Sequence, residues 1–242
     1  MPMTILDADD PLSVSCTDAI RSGNVEQLAA LLASHPNLAT VRIGDTRQSR
    51  SLLHIATDWP GHFPNVVAVI EKLIAAGADV NTPFIGAHRE TPLHWAASSD
   101  DTEALDALLD AGADIEATGS VLGGGTALAD AVGFGQWRAA RRLVERGATT
   151  RLFDAAALGL MDRVEVHFRG DEPSREELDG ALWNACHGDQ QPVAEYLLGR
   201  GADVNWIGWG NQTPLDVAVQ SEAGTLSEWL RHKGAKTAVE LT

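Results

Sequence analysis

Four side chains in this chain of 242 residues form a loose constellation of the types that move protons in active sites. Carboxylates and imidazoles placed together carry out general acid–base chemistry. Two aromatic residues, Trp59 and Phe134, belong beside them by register. Such a set would suit proton transfer on a small hydrophobic molecule, although the chain has no established catalytic motif. The four residues are Asp58, His88, Asp130 and His187.

Known reactive motifs are either missing from the sequence or have simpler explanations. The chain has no His-Glu-x-x-His or Cys-x-x-Cys spacing, so neither a metal site nor a cofactor is predicted. Cys186 and His187 are adjacent, and neighbours on a helix point about 100° apart, which does not suit a nucleophile and its base. The run Gly123-Gly124-Gly125 lacks the lysine that a Walker phosphate loop needs, and a hairpin tip explains it better.

The elements that must carry these residues repeat along the chain. Gly-Ala pairs begin at Gly77, Gly112 and Gly147, each 35 residues after the last, and again at Gly201 and Gly234, 33 residues apart. A glycine just beyond a helix can take a positive φ and end it. A period near 33 residues indicates stacked helical units, which bury their apolar faces only against one another.

The clearest repeat shows how the sequence forms a helix pair. Thr91 can cap the first helix, and Pro92 suits its first position. Leu105 and Leu108 lie at helical spacing in the second helix, which Gly112 ends. This TPLHWAA…LLDAGADIE pattern resembles the ankyrin repeat. The resemblance implies an all-α fold, an ankyrin repeat solenoid of about seven stacked helix-turn-helix units with capping ends, of the single-domain bacterial type.

The resemblance also implies where the domain lies. It covers residues 15–236, between a flexible N-terminus at 1–14 and a C-terminal tail at 237–242. The predicted repeats are about 15–48, 49–88, 89–123, 124–150, 151–177, 178–211 and 212–236. The fifth is degenerate, because Gly147 and Gly201 are too far apart for one repeat and too close for two. His54 and His94 hold the same place in adjacent repeats, which implies a structural hydrogen-bonding role.

Composition limits the kinds of partner. With 18 basic and 34 acidic residues, the net charge of −16 disfavours nucleic acid and anionic membranes and suits a basic partner. Two cysteines far apart in sequence do not indicate a disulfide framework. The chain has neither a signal peptide nor an apolar run long enough to cross a membrane. A monomeric cytoplasmic protein is therefore predicted.

Ankyrin repeat proteins bind partners through a concave groove, formed by the hairpin tips and the far ends of the first helices. The resemblance therefore predicts a protein–protein interaction module that takes a protein or peptide in this groove. Trp59 and Trp209 are expected in loops and exposed. The predicted contact residues are Arg47, Arg50, Asp58, Trp59, Phe84, His88, Arg89, Trp95, Phe134, His187 and Trp209.

One departure from the repeat pattern points to the same region. The segment 58–65, between two helices, is about four residues longer than usual, and its prolines prevent a simple helix extension. It is either a neutral insertion or an added functional loop. A small-molecule-binding protein or atypical enzyme remains the alternative to a partner-binding module. An enclosed pocket of about 300 Å³ or more would favour the small molecule.

Overall fold

The computed structural model describes residues 4–170 and 172–242. The described chain forms two compact units, one ending at Ala148 and the other beginning at Thr149. Both are mostly helical, which confirms the predicted helical solenoid class. No helix in the described ranges is long and apolar enough to cross a membrane.

The N-terminal unit is built from pairs of helices joined by turns. The helices are α1 (Pro11–Arg21), α2 (Val25–Ser34), α3 (Leu52–Ala56), α4 (Val66–Ala75), α5 (Pro92–Ser98), α6 (Thr102–Asp110), α7 (Ala127–Gly133) and α8 (Trp137–Glu145). Helix α5 packs on α7, while α4 packs on α6 and α6 on α8, so equivalent helices of successive repeats lie against each other. A short 3-10 helix spans Leu38–Thr40.

Two buried histidines cap their own helices and reach the next repeat. The Nδ1 atom of His54 accepts from the backbone N–H of Ser51 at 3.3 Å, and its Nε2 lies 3.0 Å from the carbonyl oxygen of Glu90. His94 repeats the arrangement, accepting from the N–H of Thr91 at 3.1 Å and facing the carbonyl of Gly125 at 3.3 Å. In each case Nε2–H donates to the carbonyl, which confirms the predicted structural role.

A small sheet joins the start of the N-terminal unit to its first hairpin. Strand β1 (Ile5–Leu6) runs parallel to β2 (Arg42–Gly44), which pairs antiparallel with β3 (Ser49–Ser51). The sequence does not predict these strands, because two or three residues give no readable alternation. Where it expects a flexible terminus at 1–14, β1 pairs and α1 begins at residue 11, while residues 1–3 lie outside the described range.

A buried arginine fixes this sheet to the next hairpin. Arg42 donates from Nε to the Oγ of Ser49 at 3.0 Å and from Nη2 to the Ser49 carbonyl at 2.6 Å. The same Nη2 donates to the Pro83 carbonyl at 2.9 Å. Because a buried guanidinium needs such acceptors, these bonds hold the hairpin that carries Phe84 and His88 against the sheet.

The C-terminal unit continues the helix-pair pattern. Its helices are α9 (Leu152–Ala157), α10 (Met161–Val166), α11 (Arg175–His187), α12 (Gln191–Gly199), α13 (Pro214–Gln220), α14 (Gly224–His232) and α15 (Ala238–Leu241). The last of these lies where the sequence predicts a tail, and the side chains of Thr237 and Glu240 cap it. A 3-10 turn spans Trp209–Asn211.

Acid should destabilise the fold in part through His54. Complete burial lowers the pKa of this imidazole from 6.5 to about 3. Between these pH values His54 binds a proton in the unfolded chain but not in the folded chain. Its contribution to the free energy of unfolding is therefore complete above pH 6.5 and is lost as pH falls towards 3. Urea unfolding at a series of pH values should show wild type losing a few kcal/mol more than His54→Gln over this range, at about 1.4 kcal/mol per pKa unit.

Ile55, a fully buried neighbour without an ionisable group, provides the control for this measurement. Ile55→Val should lower stability by about 0.5–1.5 kcal/mol and keep the wild-type pH profile. If His54→Gln and wild type lose stability in parallel, the imidazole of His54 is not the titrating group.

Candidate functional site

The long loop between α3 and α4 is fixed to the repeats on both sides of it. The backbone N–H of His62 donates to Oδ2 of Asp101 at 2.6 Å, and its ring Nε2 lies 3.1 Å from the Ser99 carbonyl. On the other side, Nδ2 of Asn65 donates to the carbonyl of Gly23 at 3.0 Å. These bonds explain how an insertion at this position can hold one conformation.

This loop presents Trp59 to solvent on a rigid base. The Trp59 side chain is 78% exposed, an unusual position for so large an apolar group. Next to it, Oδ2 of Asp58 accepts from Nη2 of Arg21 at 2.7 Å and from Nη1 of Arg50 at 2.8 Å. Two guanidinium groups therefore hold Asp58, which makes it a structural support and a weak candidate for a catalytic base.

Trp59 forms one side of an open pocket of about 400 Å³. Three aromatic rings and two carboxylates line it, and Phe134 is 46% exposed there. The pocket is a cleft open to solvent and does not enclose a ligand. Its lining residues are Asp58, Trp59, Glu90, Trp95, Ser98, Ser99, Val121, Phe134 and Gln136.

Glu90 connects the residues around this pocket, although the sequence alone does not single it out as a site residue. Although it is only 6% exposed, its Oε2 accepts from the indole Nε1 of Trp95 at 2.8 Å and lies 3.2 Å from Nδ1 of His88. Its Oε1 accepts from the backbone N–H of Val121 at 2.7 Å. One carboxylate among 34 acidic residues has no distinguishing spacing. The available signal was its place directly before the helix cap Thr91.

Asp130 lies behind Glu90, fully buried on α7. Its Oδ1 accepts a short hydrogen bond from Oγ of Ser120, while no donor in the described chain reaches Oδ2. Burial raises the pKa of Asp130 from 3.8 to about 7, and the neighbouring Glu90 carboxylate adds to the effect. Asp130 thus holds its proton up to about neutral pH, next to the Glu90 carboxylate.

Phe84 is buried in the structure, so it corrects the expectation that this residue offers an exposed contact at the hairpin tip. The ring is 4% exposed and stacks on His88, with centroids 4.5 Å apart and planes at 13°. It also lies 5.7 Å from the Trp95 ring. The hairpin folds its aromatic residue inwards because the core beneath offers His54 and Trp95 as partners. Phe84 therefore orients His88 and is not itself available to a partner.

The charged residues of the hairpin tips remain at the surface. The Arg47 side chain is 92% exposed and that of Arg50 is 32% exposed. Arg89 is exposed beside His88. Of the proton-transfer candidates in the N-terminal unit, Asp58 lines the pocket, whereas His88 and Asp130 are related to it through Glu90.

The fourth proton-transfer candidate, His187, belongs to the C-terminal unit. Its ring lies 5.4 Å from Trp183, and its Nδ1 is 3.4 Å from Oγ of Ser221. Trp183 in turn contacts Trp209, at 5.2 Å between ring centroids. The C-terminal unit therefore presents His187 within an aromatic cluster of its own.

Trp209 is half exposed and also packed edge-on against several rings. Besides Trp183, it contacts Phe153 and Trp206, each 5.5 Å away in a T-shaped arrangement. Its exposure is 48%. Gly180 makes this approach possible, because a Cβ there would lie 3.0 Å from both the Phe153 and Trp209 rings. Trp209 is thus both a surface residue and part of the packing.

The helix pairs, their stacking and the hairpin-lined pocket define a helical repeat solenoid, and the comparisons with known proteins identify its class. A family model described as ankyrin repeats, in three copies, matches residues 65–154. The chain is also 31% identical over 182 residues to the human protein named Ankyrin repeat and SOCS box protein 16. That match covers 73% of this chain and 34% of the relative, so the chain spans about a third of the relative's length.

A solved structure has the same fold. The crystal structure of the human ASB11 ankyrin repeat domain matches with a TM-score of 0.53 and 22% identity, covering 91% of this chain and 97% of that one. Residues 65–154 are therefore ankyrin repeats, and the fold of the chain is that of an ankyrin repeat domain. Its domain is of a kind that serves generally as a protein–protein interaction module.

Raising the pH from acid to neutral should weaken the fold in part through Asp130. Its pKa in the folded protein is raised from 3.8 to about 7, so the folded state holds a proton that the unfolded state releases. The stability from that proton is complete below pH 3.8 and is lost as pH rises to about 7. Chemical denaturation should show wild type losing stability relative to Asp130→Asn across this window. Above pH 7 the Asn variant should be at least as stable as wild type.

The reason is that an Asn side chain keeps the acceptor for Ser120 and replaces the acid proton with an N–H donor. Glu228→Gln, at an exposed carboxylate on α14, is the control and should show no such difference. Equal pH profiles for wild type and Asp130→Asn would contradict the assignment.

The C-terminal aromatic cluster should respond to truncation differently from the exposed loop. Trp209→Ala removes three edge-on ring contacts and should lower the free energy of unfolding by about 1–3 kcal/mol, less than for a fully buried aromatic residue. Ile207→Ala, at a similarly exposed position two residues away, should cost less than 1 kcal/mol. Equal small losses in thermal unfolding would mean that Trp209 does not contribute to packing.

Proposed function

We propose that the protein binds a segment of a partner protein in the groove of its N-terminal unit, with Trp59 as the anchor. The observation that supports this most strongly is the 78% exposure of Trp59 on a loop fixed to both adjacent repeats. Exposed aromatic residues with a polar surround mark interaction sites, and tryptophan is enriched among the residues that dominate binding energy.

Other apolar groups extend the surface around Trp59. Phe134 lines the same pocket, and Val121 and Leu122 at the next hairpin tip are 54% and 44% exposed. A partner side chain entering the pocket would remove these groups from water together. Burial of roughly 25 cal/mol per Å² of apolar surface is the driving force for such contacts.

The rigidity of the loop supports a high affinity for its size. Binding usually costs free energy to order loops and side chains at the interface. Here Asp58 is already held by Arg21 and Arg50, and the loop backbone by His62 and Asn65. Little of the surface needs to be ordered when the partner arrives.

The remaining predicted contacts have secondary roles in this proposal. Arg47 and Arg89 lie at exposed hairpin tips, where rim charges influence the rate and selectivity of association more than its strength. In the C-terminal unit, Trp209 and His187 offer a separate contact surface. The partner is a protein or peptide, basic in keeping with the net charge of −16.

The proposed setting is the cytoplasm, with the protein acting as a monomer. Cys16 and Cys186 are both buried and unpaired, which suits a reducing compartment. Burial raises the pKa of the Cys16 thiol to about 11 and also raises that of Cys186. Both thiols therefore stay protonated, and Cys186 is a packing residue in this proposal and not a nucleophile.

One observation favours a second candidate function, small-molecule binding with acid–base chemistry. Glu90, His88 and the protonated Asp130 converge beside an aromatic pocket whose volume of about 400 Å³ falls within the usual range for ligand sites. The openness of the pocket and the complete burial of Asp130 speak for the partner-binding function instead. A small molecule that protects Trp59 from fluorescence quenching when no partner protein is present would favour this alternative.

Removing the Trp59 side chain should abolish partner binding without affecting the fold. Affinity capture from a lysate of the source cells, with wild type as bait, should retain a protein that Trp59→Ala fails to retain. The thermal stability of the variant should stay within about 0.5 kcal/mol of wild type, because the side chain is mostly in water.

Val239→Ala is the matched control, since Val239 is 85% exposed on α15. It should capture the same protein as wild type. Retention of the same protein by Trp59→Ala would contradict the proposed role of the loop.

A further inference from the structure

The meeting point of Glu90 and Asp130 has more acceptors than donors. Glu90 uses its two carboxylate oxygens for the Trp95 indole N–H and the Val121 backbone N–H. Asp130 uses Oδ1 for the Ser120 hydroxyl, but Oδ2 is buried without a donor from any described residue. An unpaired buried carboxylate oxygen is costly, so this position calls for a proton or a cation.

In the free protein the proton on Asp130 meets this need. Two carboxyl groups side by side share a proton because like charges close together oppose ionisation. Burial raises the pKa of Asp130 to about 7, and the neighbouring Glu90 carboxylate adds to the effect. A positive charge next to Glu90 would offset its negative charge, which would lower the pKa of Asp130 and favour loss of the proton.

The surrounding charges leave room for such a cation. Across the pocket, Asp58 is already matched by Arg21 and Arg50. Beneath Glu90, burial lowers the pKa of both His54 and His94, so both imidazoles stay neutral. His88, 3.2 Å from Glu90, is the titratable side chain in direct contact with it.

Two arginines of this unit, Arg89 and Arg42, do not pair with the Glu90 carboxylate in the described chain. Arg89, its neighbour in the chain, is exposed, and Arg42 donates to Ser49 and Pro83 and is electrostatically linked to Arg89. Neither forms an ion pair with Glu90 among the described residues. His88 pairs with Glu90 only when its imidazole is protonated, so within the described residues the two carboxyl groups have no permanently charged cation as a partner.

We infer that the partner segment places a cationic side chain, a lysine ammonium or an arginine guanidinium, against Glu90 in the pocket, and that its arrival releases the Asp130 proton to solvent. This inference rests on the proposed partner-binding function and specifies the chemistry of what binds. The rings of Trp59 and Phe134 line the same pocket and would attract a cation through their faces. The net charge of −16 would also draw a basic partner towards the groove.

Proton release gives this site a characteristic pH dependence. Below the pKa of Asp130 the cation must displace a proton, so its affinity should rise about tenfold per pH unit. Above that pKa the proton has already left, and the affinity should become constant. Binding should therefore strengthen between pH 6 and pH 8 by close to one order of magnitude.

The test uses side-chain analogues on the full chain, observed by NMR. The probes are n-butylammonium and ethylguanidinium, with n-butanol as the neutral match. The ¹⁵N–¹H signal of the Trp95 indole is the reporter, because that N–H donates to Glu90, and Trp95→Phe assigns it. Both cations should shift this signal with a dissociation constant about tenfold lower at pH 8 than at pH 6. Butanol should leave the signal unchanged.

Four variants locate the proton and the contact. Asp130→Asn has no proton to lose, so it should bind the cations with equal affinity at both pH values. His88→Gln should keep the pH dependence, because the released proton comes from Asp130. Trp59→Ala should weaken the binding of both cations. Glu90→Gln should abolish it, and the variant's thermal unfolding will show whether it folds.

The opposite results would overturn the inference. They are a Trp95 signal that neither cation moves at pH 8, equal affinities at both pH values, or a pH dependence lost in His88→Gln and kept in Asp130→Asn. The proposed function would survive any of these results if Trp59→Ala still fails to capture the partner. A partner captured equally by both proteins would reject the function itself.

Discussion

The hydrogen bond from His54 to the carbonyl of Glu90, 3.0 Å long, is the interaction on which the N-terminal groove depends. The imidazole caps its own helix at one nitrogen and holds the next hairpin at the other, so one side chain sets the spacing of two repeats. Because the carbonyl of Glu90 is fixed in this way, its carboxylate is held where it can accept from Trp95 and Val121. A scaffold contact thereby determines the position of the acidic group in the pocket.

Sequence reasoning succeeded where the signal repeats and failed where it depends on a single residue. The helix pairs were predicted from local signals, namely the cap Thr91 with Pro92, the leucine spacing and the periodic glycines. These signals are reliable because they recur in successive repeats. The inward turn of Phe84 and the role of Glu90 depend on contacts with residues in other repeats, which no local pattern encodes. The exposure of Trp59 was predictable, since its loop departs from the repeat.

The carboxylates near the pocket have separate tasks set by their surroundings. Asp58 is matched by two guanidinium groups and serves as a rigid support. Asp130 is sealed from water and keeps a proton, and Glu90 lies between that buried acid and the open cleft. The arrangement explains why a strongly acidic chain can keep several carboxylates close together: each is paired, protonated or capped by N–H donors.

The loop that follows α3 has a consequence for how the repeats unfold. Most repeat stacks behave as chains of nearest-neighbour contacts, in which an end repeat can fray while the others stay folded. This loop, itself part of the second repeat, holds Gly23 of the first through Asn65 and Asp101 of the third through His62. One segment thus links repeats on both of its sides, and loss of either the first or the third repeat removes support from the other. The first three repeats should therefore open as a single cooperative block, protecting their amide hydrogens to a similar degree.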